Sequence, residues 1–213
     1  MAYDVVVFDL DGTLLDTLDD LMDSCNYALS TIGAPPRTWA EIRRFVGNGI
    51  RNLMLQAVPD GEANPKFEQA YETMQTWYKA HNQIKTAPYP GVTAVLAALQ
   101  RAGVRCAVVS NKPDGATREL AARFFPGLAA FGQRDDIPAK PAPDMVYHAL
   151  AELGVDREDA AYVGDSEVDV ALARNAGLPL IAVSWGFRGR RALEEAGAEL
   201  VVDDAAQLLE NAL

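Results

Sequence analysis

Cysteine is scarce. The 213 residues hold two, Cys25 and Cys106, 81 positions apart, which excludes a disulfide framework and a cysteine-based zinc site. Cys106 lies in the apolar run Val104-Arg105-Cys106-Ala107-Val108-Val109 and is expected to be a buried free thiol. Positive charge is short as well. Nineteen Lys and Arg stand against 30 Asp and Glu, a formal net charge of −11. Neutralising phosphates along a nucleic acid takes a basic face, so no nucleic-acid partner is expected. A small anion remains open, because it needs only a local positive pocket. No stretch of about 18 apolar residues is present, so no membrane span is expected. The start, Met1-Ala2-Tyr3-Asp4, has no basic segment and no cleavage pattern. Together with the unpaired thiols this predicts a soluble cytoplasmic protein. Internal repeats and low-complexity segments are also missing.

What is present is a set of short apolar runs: Val5–Phe8, Val104–Val109, Ala160–Val163, Leu180–Ser184 and Leu200–Val202. Runs without polar alternation fit central strands of a parallel sheet. Helical patterns lie between them. Val92, Val95, Leu96 and Leu99 share a face, as do Met145, Val146, Ala149, Leu150 and Leu153 behind Pro143. Asn175-Ala176-Gly177 reads as a helix ending at glycine. The alternation predicts an α/β doubly wound fold. Residues 15–85 break it. Leu18, Leu21, Met22, Cys25, Leu29 and Ile32 step at helical spacing, Thr38-Trp39-Ala40-Glu41 reads as a capping box, and Phe67, Ala70, Tyr71, Met74, Trp77 and Tyr78 form a further stripe. This stretch is expected to be a helical cap inserted after the first strand, leaving 1–14 and 86–213 as the core domain.

Four clusters carry chemistry. Asp9-Leu10-Asp11-Gly12-Thr13 follows the first apolar run. Two carboxylates at i and i+2 of an extended chain point the same way. About 5 Å apart, at an effective dielectric of ~20, they repel by about 3 kcal/mol, so a cation or a proton must compensate them. Gly164-Asp165-Ser166-Glu167-Val168-Asp169 follows another run, and Asp165 and Asp169 face the same way if a helix begins there. An oxygen-rich pocket of Asp9, Asp11 and Asp165 suits Mg²⁺. Ser110-Asn111-Lys112 ends the Val104 run, where a hydroxyl and turn amides could hold an anion. Lys112 is expected at the surface. Lys140, in Ala139-Lys140-Pro141, could balance the acids and hold a phosphate.

In this order the clusters resemble the haloacid dehalogenase superfamily: Asp9–Thr13 its first motif, Ser110 its second, Lys140 its third, and Asp165 with Asp169 its fourth. The resemblance covers essentially the whole chain. It implies Asp9 as nucleophile, Asp11 as general acid and base, and Ser110 and Lys140 as phosphoryl-stabilising groups. It implies Mg²⁺ held by the side chains of Asp9 and Asp165 and the Asp11 carbonyl, with Asp169 supporting the metal or the lysine. The dehalogenating branch lacks an acid at the position of Asp11, which points to a phosphatase. Asp16–Ile32 holds no lysine, unlike the phosphonoacetaldehyde-cleaving branch, and no Arg-Gly pair of the hexose-phosphate mutases lies in 15–85. The remaining likeness is to the phosphoglycolate phosphatase branch, through the cap segment Phe45–Leu53. There Gly47, Asn48, Gly49 and Arg51 would contact substrate, beside Thr13, Ser110, Asn111 and Lys140. The alternative for that segment is a glycine link between two helices. Trp185-Gly186-Phe187-Arg188 also resembles this branch, without an evident role. Sugar phosphates, mononucleotides and pyrophosphate stay open as substrates, a monomer and a homodimer as assemblies, and a receiver-like phosphoacceptor as a non-catalytic alternative.

Overall fold

The computed structural model describes residues 3–213; Met1 and Ala2, on which part of the leader expectation rests, lie outside them. Its contacts divide the chain into two units, Met1–Leu15 with Pro88–Leu213, and Asp16–Ala87.

In chain order the elements are β1 (Val5–Phe8), β2 (Leu15–Asp16), α1 (Leu18–Thr31), α2 (Trp39–Phe45), α3 (Gly49–Ala57), α4 (Phe67–His81), β3 (Ala87–Pro88), α5 (Val92–Arg101), β4 (Arg105–Pro113), α6 (Asp114–Phe124), β5 (Ala129–Gln133), α7 (Asp144–Leu153), β6 (Ala160–Gly164), α8 (Glu167–Ala176), β7 (Leu180–Val183), α9 (Arg190–Glu195), β8 (Val201–Val202) and α10 (Ala205–Ala212). The larger unit carries a six-stranded sheet in the order β5-β4-β1-β6-β7-β8, with every neighbouring pair parallel. β1 is buried throughout because both faces are covered. Val6 and Phe8 pack with Val92, Val95 and Leu99 of α5 and Leu208 of α10. Val5 and Val7 point the other way, into Met145, Val146 and Ala149 of α7 and Leu172 of α8. Each such aliphatic side chain contributes roughly 1.5–3 kcal/mol on burial. The glycine stop at Gly177 is real: it caps α8 in the left-handed conformation, at φ 67°.

Register places the chemistry. Phe8 stands opposite Val108 on β4 and Val163 on β6. Continued by one residue, Asp9 lies level with Val109 and Gly164, just short of Ser110 and Asp165. The strand order reverses at β1, and in open parallel sheets such a switch point is where ligands bind, beyond the carboxyl ends of the strands.

Three expectations need correction. The strand β5, Ala-Ala-Phe-Gly-Gln, gave no apolar run, because alanines and a glycine fill it. β4 does not end at Ser110 but continues to Pro113, with a register irregularity after Val109. Cys106 is half-buried, not buried. It lines a cavity of about 430 Å³ with Leu96, Phe124 and Leu128 near the amino end of β4, the end opposite Ser110. Desolvation pushes its thiol up to about 12, so it is no nucleophile at neutral pH.

The unit Asp16–Ala87 is a helical insertion of four α-helices. α2 opens on the full capping box, Thr38 Oγ1 accepting from the Glu41 amide and the Glu41 carboxylate from the Thr38 amide. Phe67, Ala70, Met74 and Tyr78 of α4 form its buried face. The buried Asp20 ties α1 to the segment that leaves the insertion. Its carboxylate accepts the amides of Ile84, Lys85 and Thr86 and the Thr86 hydroxyl, at 2.8–3.1 Å. Among the described residues no helix is long and apolar enough to cross a membrane.

Candidate active site

The acids at the ends of β1 and β6 meet. One carboxylate oxygen each from Asp9, Asp165 and Asp169 lies within 4.8 Å of the others, and all three residues are buried. The Asp9 carboxylate is fixed through Oδ1, which accepts from the Leu10 amide at 2.7 Å and pairs with Lys140 Nζ at 2.9 Å. Burial raises the Asp9 pKa, to about 7. Lys140 opposes the rise, while Asp169 and Asp11 add to it. Asp165 is also raised well above the usual carboxylate range, by burial and then by the charges of Asp169 and Asp9.

Asp169 is spent inside the protein. Oδ2 accepts from the Ser166 hydroxyl (2.6 Å) and from the amides of Ser166 and Asp165, while Oδ1 meets Lys140 Nζ (2.9 Å) and the Tyr162 hydroxyl (3.0 Å). A carboxylate offers about four acceptor sites, and five donors already converge on this one. Sequence spacing put Asp165 and Asp169 on one helix. In the structure α8 begins only at Glu167, with Ser166 as its N-cap and Asp169 completing a capping box. Asp165 therefore stands in the strand-to-helix turn, with one carboxylate oxygen within 4.8 Å of one from Asp9.

Lys140 is the cation of the cluster, its side chain 1% exposed. Burial pulls its pKa down, but the facing charges of Asp169 and Asp9 outweigh burial and hold the ammonium above its ordinary range. Asn111 places it: the side-chain amide donates to the Lys140 carbonyl at 3.0 Å and accepts from the Lys140 amide at 2.8 Å. Tyr162 went unnoticed in the sequence because it lies within the apolar run of β6. Its hydroxyl sits 3.1 Å from Lys140 Nζ and donates to Asp169.

Asp11 faces a different partner. Both its oxygens lie 2.9 Å from Lys112 Nζ. Lys112, expected at the surface, is buried, its side chain 2% exposed. The continuation of β4 past Ser110 carries it inward. Ser110 is itself buried and accepts the Lys112 amide at 3.3 Å. The Thr13 hydroxyl donates to Asp165 Oδ1 at 3.0 Å.

The cap residues of the sequence reading lie in the helical unit. Gly47, at φ 127°, and Asn48 form the link between α2 and α3, and Gly49 to Leu53 is the first part of α3 rather than a loop. Arg51 is held within that unit. It pairs with Glu62 (2.8 Å) and Glu68 (2.7 Å) and lies over the rings of Phe67 and Tyr71. Both pairs are exposed, and they engage the guanidinium within its own unit.

A divalent cation fits the donor set. Four carboxylates (Asp9, Asp11, Asp165, Asp169) face two ammonium groups (Lys112, Lys140), a deficit of two positive charges. Burial first, and then the neighbouring carboxylates, raise the pKa values of Asp9 and Asp165. The oxygens are hard donors with no thiol or imidazole among them, which suits Mg²⁺.

Residues 6–183 match the haloacid dehalogenase-like hydrolase family. The plasmid phosphoglycolate phosphatase of Cupriavidus necator is 35% identical over 95% of this chain and 90% of its own length. The phosphoglycolate phosphatase of Caulobacter vibrioides is 36% identical over 92% and 85%. In three dimensions the chain is similar to a candidate phosphoglycolate phosphatase from Lactobacillus delbrueckii subsp. bulgaricus, with a TM-score of 0.95, 36% identity, and coverage of 100% and 99%.

Proposed function

Because the chain belongs to the haloacid dehalogenase-like hydrolase family, we propose that it is a Mg²⁺-dependent phosphatase that hydrolyses 2-phosphoglycolate through an aspartyl-phosphate on Asp9. The observation that carries the reading is the meeting of Asp9, Asp165 and Lys140 at the carboxyl ends of β1 and β6. The similar phosphoglycolate phosphatases support the choice of substrate.

Asp9 and Asp165 keep acceptor capacity and would hold the cation, with the Asp11 carbonyl as a third ligand. Bound there, Mg²⁺ would neutralise phosphoryl charge and let the dianion approach the acids. The protein supplies the rest. Asp9 attacks phosphorus as the phosphorus–oxygen bond to the leaving group breaks. Asp11, freed from Lys112 and protonated as substrate binds, gives that proton to the departing oxygen. Water then loses a proton to Asp11 and attacks phosphorus, and the bond to Asp9 breaks, releasing inorganic phosphate and restoring the carboxylate. Lys140 and Ser110 stabilise the equatorial oxygens. Asp169 and Tyr162 keep Lys140 in place, and Lys112 orients Asp11 until substrate arrives.

The test is turnover of a phosphomonoester panel by the purified chain with Mg²⁺. The panel contains 2-phosphoglycolate, a hexose phosphate, a mononucleotide, pyrophosphate and p-nitrophenyl phosphate. The highest kcat/KM is expected for 2-phosphoglycolate. A higher value for another member moves the substrate and leaves the chemistry. No turnover of any member would favour a phosphoacceptor without hydrolytic function.

A further inference from the structure

The turn after β7, Trp185-Gly186-Phe187, has no part in the mechanism above, yet two of its residues contact Asp165 and the third holds Thr13 beside it. The Phe187 amide donates to Asp165 Oδ2 at 2.7 Å. Trp185 Nε1 donates to the Thr13 carbonyl at 3.1 Å, and the hydroxyl of the same threonine holds Asp165 Oδ1 at 3.0 Å. Gly186 fills the space between. A Cβ there would sit 2.3 Å from Asp165 Cβ, 2.4 Å from Asp165 Oδ2 and 2.4 Å from the Gly12 carbonyl oxygen. Gly186 is not among the residues with positive φ, so space and not backbone conformation demands glycine. A Cβ on Gly12 would meet the same carboxylate at 2.5 Å. The Asp165 carboxylate is thus packed closely against two glycines, with one donor on each oxygen.

We propose that the Trp185–Phe187 turn is a positioning element that fixes the rotation of Asp165 for a divalent cation. The inference rests on the metal reading of the site given above. One donor on each oxygen leaves each a further acceptor site. Close packing against Gly12 and Gly186 limits how far the carboxylate can turn. Preset ligands lose less freedom on binding a cation. Without the turn, Asp165 would have to be ordered by the cation itself. Outer partners of metal ligands typically set affinity by about 10–100-fold.

The experiment is calorimetric titration of Mg²⁺ into the chelator-stripped full chain, without substrate, beside melting in chelator. Gly186→Ala is expected to weaken Mg²⁺ binding by about 10–100-fold, and Thr13→Val by about 10-fold. Phe187→Leu keeps the amide and should stay within about threefold of wild type. In turnover, both weakened variants should recover kcat at raised Mg²⁺, which a merely misfolded protein would not. Unchanged Mg²⁺ affinity in a folded Gly186→Ala overturns the proposal. If that variant does not fold, unchanged affinity in Thr13→Val overturns it. A wild-type chain that binds no Mg²⁺ removes the metal reading together with this one, whereas equal affinities in wild type and variants remove this inference alone.

Discussion

Replacing Lys140 with methionine removes one charge and keeps the bulk. The ammonium stands 2.9 Å from both Asp9 and Asp169, with its side chain 1% exposed. Without it, two buried carboxylates remain, with oxygens up to 4.8 Å apart. At an effective dielectric of ~20 that pair repels by about 3.5 kcal/mol. Removing one partner from a buried ion pair costs about 3–5 kcal/mol, so the two routes agree. For a chain of this size, a kilocalorie moves the melting temperature by roughly 2–4 °C. Lys140→Met should therefore melt about 6–20 °C below wild type in chelator at pH 8, read by calorimetry. At pH 5 the gap should narrow, because Asp9, raised to about 7, takes up a proton and no longer needs the cation. Adding Asp169→Asn to Lys140→Met should restore part of the loss, since it removes one of the stranded charges. A loss below about 3 °C at pH 8, or an equal loss at both pH values, would refute the argument that Lys140 compensates this cluster.

The same shift on Asp9 sets how Mg²⁺ stabilises the fold. A carboxyl raised from 3.8 to about 7 contributes stability below pH 3.8 that is lost as pH rises through 7 in the cation-free protein; Mg²⁺ should therefore raise the melting temperature more at pH 8 than at pH 5. Asp9→Asn should abolish turnover. Asp11→Asn should slow it by about 10²–10⁴-fold with Mg²⁺ affinity kept, as turnover and titration calorimetry will show. In the helical unit, Asp20→Ala strands the buried Thr86 amide and frees two part-buried ones, and should cost about 1–3 kcal/mol. Hydrogen exchange at Lys85 and Thr86 would speed up first, and unchanged protection there would refute the anchoring role.

The fold was legible where burial acts on both faces of a strand. Val5–Phe8 and Ala160–Val163 are apolar at every position because helices cover the sheet on either side. β5 was silent because its short residues make room for close neighbours. A Cβ on Gly132 would lie 2.4 Å from the Asp114 backbone, so packing selected glycine where pattern-reading looks for valine. At α3 the structure has the alternative arrangement, a glycine link between two helices. The first residues of α3, Gly49-Ile50-Arg51-Asn52, follow Val46-Gly47-Asn48 and read as loop, and only the burial of Leu53, Met54 and Ala57 makes the segment a helix.

At the site, the residues that react were easier to read than those that hold them. Asp9, Asp11 and Asp165 stand out because acids directly after an apolar run are electrostatically expensive, and the expense is visible in one dimension. Their holders are not. Lys112 in Asn-Lys-Pro looks like any surface lysine, and its burial follows from a strand that runs on past Ser110 toward an aspartate 101 residues earlier in the chain. Tyr162 carries a polar tip inside an apolar run. Phe187 acts through its amide, which every residue but proline possesses and no alphabet records. The sequence-visible part of such a site is charge that must be compensated; the sequence-invisible part is compensation by groups whose identity is common and whose position alone is informative. That division is why substitutions at Gly186 and Thr13 are more searching tests of the site than substitutions of the acids: removing an acid abolishes the site under many readings, while removing its support changes Mg²⁺ affinity only if the carboxylate was held for a cation.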